Sequence, residues 1–107
     1  MKKIPFWEVF KTPMLRGDKI MTTRSKKYGN KGDKFEAFGH VFEIMMVKKL
    51  PIGLIANEFY EEEGFDCKEC FIDTWETIHP RVGYQPEREY YVHLFKLLGA
   101  KTQKETT

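Results

Sequence analysis

Apolar and aromatic positions recur along the chain in short blocks, and the spacing inside each block predicts its structure. Residues 4–10 (IPFWEVF) are apolar enough to open the chain with a strand. Residues 12–16 (TPMLR) read as a short helical turn, ended by Gly17, whose permissive backbone suits a helix terminus. Residues 19–24 are rich in β-branched and long apolar side chains and predict a strand. A loop over 28–33 follows, marked by Gly29, Asn30 and Gly32. A short strand at 35–38, a tight turn at Gly39-His40 and a long strand at 41–50 come next. The long strand is nearly continuous in apolar residues through Val47, the pattern of a strand buried on both faces for part of its length.

The second half changes period. Pro51 opens a helix over about 52–62, with Leu54, Ile55 and Phe59 on one face. Gly64 stands where a helix terminates, and Phe65 is placed to pack back on it. Asp66-Cys-Lys-Glu69 has the form of a capping box, and Phe71, Ile72, Trp75 and Ile78 make one apolar stripe on the helix it starts. His79-Pro80 stops that helix. After a loop over 81–88, residues 89–98 (EYYVHLFKLL) form the last long strand. There is no internal repeat. Helices cluster between strands instead of alternating with them, which excludes a doubly wound sheet. The expectation is an α+β fold: one domain over residues 1–100, a small mixed β-barrel or curled sheet with two to three helices packed on one side. Residues 101–107 (KTQKETT) are expected to be a disordered polar tail.

Composition narrows the class. The 107 residues, 41% hydrophobic and 32% charged, suit one globular core. No apolar run approaches the roughly 20 residues that span a bilayer. The start, MKKIPFWEVF, is a poor signal peptide because Glu8 interrupts its short apolar part, so the chain is expected to be cytoplasmic with no membrane partner. Net charge is only +2 but unevenly placed. Residues 1–34 hold ten Lys/Arg against three Asp/Glu, and residues 57–76 hold one Lys against eight Asp/Glu. Either the folded chain shows one basic and one acidic face, or the two segments pair with each other. Cys67-Lys-Glu-Cys70 is half of a zinc site with no second half, and His40, His79 and His93 are scattered. The cysteines read as two reduced thiols near a helix start, with no metal and no cofactor expected.

The stretch GDKIMTTRSKKYG at 17–29 concentrates the candidate chemistry. Lys19, Arg24, Lys26, Lys27, Lys31 and Lys34 could contact phosphates, with Tyr28 or Phe38 as stacking surfaces. Arg24 has the planar fork for a bidentate base or phosphate contact; the alternative is a buried pair with a carboxylate. His79 reads either as a helix end or as a ligand contact, and Trp7 and Trp75 read as core.

The pattern L-x-G-x-K-x-x-T-x-R, standing here as Leu15-Arg-Gly17-Asp-Lys19-Ile-Met-Thr22-Thr-Arg24 and followed by Gly32-Asp33, resembles the ASCH domain. Glu63-Gly64-Phe65, the helix with Phe71 and Trp75, Ile78-His79-Pro80 and the closing Val92-His-Leu-Phe95 follow in the family's order, so the resemblance covers roughly 4–98. It implies a PUA-like fold and action on or near RNA. One branch is a bacterial amidohydrolase that removes the acetyl group from N4-acetylcytidine with a lysine, a threonine and a glutamate. Those fall on Lys19, Thr22 and Glu63. The sequence departs from the family at Ile20, often a threonine, and at the more basic Ser25-Lys-Lys-Tyr-Gly29.

Amide hydrolysis needs a nucleophile, a base and a group that orients the base. Thr22 would be the nucleophile, Lys19 the base once its pKa is lowered, and Glu63 the partner that orients Lys19. In a regular strand Lys19 and Thr22 would face opposite ways, so Lys19 must sit in the turn after Gly17 or at a bulge. The bland alternative is an ordinary strand threonine beside a Lys19–Glu63 salt bridge. Three readings follow: recognition of RNA or a modified nucleoside in a cleft beside the motif, with Arg24, Lys26, Lys27, Tyr28 and His79 as contacts; an N4-acetylcytidine-type amidohydrolase; or a non-catalytic module binding a protein partner through its acidic helices.

Overall fold

The computed structural model describes residues 1–100. The polar tail expected to be disordered lies outside the described residues. Strand β1 (Lys2–Lys3) is followed by an extended run and a single 3-10 turn at 8–10 that leads into helix α1 (Lys11–Arg16). Strands β2 (Met21–Arg24), β3 (Lys34–Ala37) and β4 (His40–Pro51) come next, then helices α2 (Ile52–Glu58) and α3 (Lys68–Ile78), and finally strand β5 (Glu89–Ala100). The class is α+β. The five strands make one sheet in the order β1-β3-β4-β5-β2. Only β1–β3 is a parallel pair; the other neighbours are antiparallel. Strands β1 and β2 are the two edges, so hydrogen bonding does not close the sheet into the expected barrel.

Strand β5 divides the core by simple alternation. Tyr90, Val92 and Leu94 face helices α2 and α3, where they meet Ile52, Ile55, Phe71, Trp75 and Met21. Phe95 faces the other way, into a cluster with Ile4, Met14, Phe35, Phe42 and Ile44. Phe35 and Phe42 stack in parallel at 5.2 Å, and Phe95 meets both edge-on. β5 is therefore covered on both faces, whereas β4, whose apolar run predicts two-sided burial, is fully buried only at Phe42 and Ile44.

In β4 only Phe42 and Ile44 are fully buried, and Met46 is exposed. The register shifts between Ile44 and Met46, so Met45 is an extra residue. That bulge lets Val47 rejoin the inner cluster. The β3–β4 hairpin turns at Phe38 and Gly39, both with positive φ (54° and 71°), as a two-residue hairpin turn requires. Phe38 tolerates this conformation while its ring packs on Phe6.

Several local expectations need correction. Residues 4–10 are not a strand: Pro5 offers no N–H to a ladder, and the pairing strand is Lys2–Lys3 instead. Helix α2 stops at Glu58, and its buried residues are Ile52, Gly53, Ile55 and Ala56, while Leu54 is exposed. The N-cap of α3 is Cys67, not Asp66; its Sγ accepts from the Cys70 N–H at 3.0 Å. Cys67 and Cys70 are joined as a disulfide, not held as two thiols, because the first helical turn brings their Cα atoms within 5.1 Å. Trp7 is not core but nearly half exposed. No helix among the described residues is long and apolar enough to cross a membrane.

Candidate functional site

Because β2 is an edge strand, its outer edge is unpaired in the sheet, and a cavity of about 380 Å³ lies against it. Pro5, Phe6, Trp7 and Phe10 form one wall. Lys19, Thr22 to Lys26 and Tyr28 form the floor and rim. Glu63, Phe65 and the α3 residues Phe71, Thr74, Trp75, Ile78 and His79 form the far wall. The volume suits a small organic ligand, and the lining combines apolar surface with a few convergent polar groups.

Local backbone chemistry places Lys19. Gly17 ends α1 in the left-handed region (φ 83°), which returns the chain so that the N–H groups of Asp18 and Lys19 both donate to Pro13 O. The Ile20 N–H then donates to Glu62 O at 2.8 Å, docking this segment on the turn after α2. Lys19 therefore precedes β2, in the turn after Gly17. Its Nζ donates to Met21 O and Glu63 O, each at 2.8 Å, and to Glu63 Oε1 at 3.4 Å. Gly64 permits this approach: it has φ 97°, and a Cβ there would stand 2.9 Å from Lys19 Cβ.

Lys19 and Glu63 are both almost wholly buried. Burial pushes the Lys19 pKa down, against the attraction of Glu63. Burial likewise pushes the Glu63 carboxyl up, opposed by Lys19, Thr23 and Arg24. The second carboxylate oxygen of Glu63 accepts from Thr23 Oγ1 at 2.7 Å. Thr22 takes a different partner: its Oγ1 accepts from Arg24 Nε at 3.0 Å. The register explains the split. Thr22 pairs with His93 and Thr23 with Val92, so the two hydroxyls leave opposite faces of β2.

Arg24 makes no carboxylate pair among the described residues. It donates to Thr22 and to Pro5 O, and lies over the rings of Phe6 and Tyr28 at 4.8 and 5.4 Å. Lys26 covers Tyr28 from the rim. Lys27 is exposed and off the cavity lining. The Tyr28 N–H donates to Nε2 of the fully buried His93, whose Nδ1 lies 3.4 Å from Thr22 O. With Nε2 accepting, the proton sits on Nδ1 and the ring is neutral. His79 is both helix end and cavity wall: its N–H donates to Trp75 O, and its ring stacks on Trp75 at 4.0 Å.

The structure thus gathers Lys19, Thr22, Glu63, Arg24, Lys26, Tyr28 and His79 around one cavity and leaves Lys27 outside it. The sequence reading missed Thr23, Phe65 and Thr74. Thr23 was detectable, since it alternates with Thr22 in the same strand. Phe65 reads in the sequence as packing back on Gly64 and Thr74 has no local signal; only the tertiary fold turns both toward the cavity. Of the ion pairs, Lys19–Glu63 joins the basic and acidic segments, while Glu61 and Glu62 make none among the described residues. Among the described residues no cluster of three or more His, Cys, Asp or Glu could hold a metal ion.

No family model and no curated protein matches this chain. Solved structures do. An ASCH domain from Lactobacillus crispatus superposes with a TM-score of 0.68 at 15% identity, over 92% of this chain and 79% of its own. A protein from Enterococcus faecalis of the DUF984 family superposes with a TM-score of 0.64 at 14% identity, over 90% of this chain and 74% of its own. At these identities the likeness concerns the fold, and the fold is ASCH-like.

Proposed function

We propose that this ASCH-like chain recognises RNA or a modified nucleoside, with one base entering the cavity at the β2 edge. One observation carries the reading: the cavity joins aromatic walls to a fixed cation. Trp7 stands exposed at its lip, His79 and Trp75 stack on the far wall, and Arg24 is held by Thr22, Pro5 and two rings. Bases stack on such surfaces, and a guanidinium already oriented loses little freedom on binding. Lys26 and Lys27 would meet phosphates at and beyond the rim. The test is equilibrium binding of a short single-stranded RNA across a salt series. Two phosphate contacts give a log–log slope of roughly −1.4, and Arg24→Ala should weaken binding about tenfold or more. A slope near zero with Arg24→Ala unchanged would remove the reading.

A second reading has its own support. The buried Lys19–Glu63 pair borders the same cavity and touches a hydroxyl, an arrangement suited to hydrolysis of an acylated base such as N4-acetylcytidine. Release of cytidine from N4-acetylcytidine tests it; no release above the uncatalysed rate would exclude it.

A further inference from the structure

We infer that Thr23 is the nucleophile of this cavity and Glu63 its base, with Lys19 a positioning residue that keeps its charge. The inference rests on the hydrolase reading but changes the roles that the resemblance assigns. Thr22 Oγ1 accepts from Arg24 Nε and touches no base. Thr23 Oγ1 donates to Glu63 Oε2 at 2.7 Å, a short contact between a hydroxyl and a carboxylate. Lys19 Nζ points its hydrogen bonds at Met21 O, Glu63 O and Glu63 Oε1, which matches the three donors of an ammonium and leaves no lone pair to take a proton. The order is hydroxyl, carboxylate, ammonium: a nucleophile, a base and a group that orients the base. All three line the cavity.

The chemistry balances without a further reactant except water. Thr23 Oγ attacks the carbonyl carbon of a bound amide, and its proton passes to Glu63 Oε2. The carbonyl π pair moves onto oxygen. Collapse of the tetrahedral species breaks the C–N bond, and the amine leaves with the proton from Glu63. A threonine ester remains. Water then attacks the ester carbonyl and gives a proton to Glu63, which returns it to Thr23 as the acid departs. The net change is amide plus water to carboxylic acid plus amine. Lys19 fixes Glu63 with Oε2 toward Thr23 throughout.

The experiment treats the whole chain with p-nitrophenyl acetate, quenches with acid and locates acetyl esters by tandem mass spectrometry. The expected ester is on Thr23. It should vanish in Thr23→Val and return, on the new hydroxyl, in Thr23→Ser. In Thr22→Val it should stay on Thr23, whatever its yield. An ester on Thr22, acetylation confined to lysines, or no acylated threonine in the wild type overturns the inference without requiring any variant to fold. Cytidine release from N4-acetylcytidine is measured beside it. An acylated Thr23 without cytidine release removes that substrate and keeps the nucleophile. Cytidine release that survives Thr23→Val removes the nucleophile and keeps the hydrolase.

Discussion

Lys19 and Glu63 are the two charges that this fold buries together, and a buried pair is costly to break and cheap to replace. Removing one charge leaves the other in a poorly solvated place. Lys19→Met or Glu63→Leu alone should therefore lower unfolding free energy in urea by roughly 3–5 kcal/mol, and the double variant should recover most of the loss. Equal losses that simply add would mean the pair is not coupled. His93 gives a pH signature. Burial, reinforced by Arg24 and Lys27, holds its pKa below the ordinary value, against the bond to Thr22 O. A depressed pKa in the folded state means that its stability contribution is complete above about pH 6.5 and is lost as pH falls through the folded value, at up to about 1.4 kcal/mol per pH unit. His93→Gln, which cannot titrate, should flatten that acid limb; an unchanged limb would assign it to other groups. At this scale the sequence was legible where the motif fixed spacing, as for Lys19 and Arg24. It was not legible for His93, because its partners Thr22 and Tyr28 lie far off in sequence and only the β2–β5 register joins them.

Elements position these residues through a few backbone devices. Gly64 combines a left-handed backbone with close approach to Lys19. Gly64→Ala should cost about 1–3 kcal/mol from backbone strain and displace Lys19 as well, so thermal unfolding should fall together with any cavity-dependent binding or turnover. Loss of stability with the cavity unaffected would show that the contact yields. Strand β5, helix α3 and the α1–Gly17 stop were readable from periodicity and punctuation. The strand expected at residues 4–10 and the length of α2 were not. Apolar content there serves to line the cavity and the core, not to extend a ladder or a helix. The disulfide was missed for a related reason: spacing of three in sequence says that two cysteines can meet, not that they do.

At the scale of the whole molecule, charge separates along the chain but meets at one point. The basic segment supplies the floor and rim of the cavity, the acidic segment supplies Glu63, and their other charges lie mainly at the surface. Ligand entry at the β2 edge would therefore be felt by residues from both halves at once. The most direct measurement is an NMR titration of the uniformly labelled chain with a short cytidine-containing RNA, following every backbone amide. The expected result is a connected set of shifts at Trp7, residues 22–28, Phe65 and residues 74–79, saturating together. Shifts scattered over Lys2, Lys31 and Lys34, with the cavity residues silent, would contradict it.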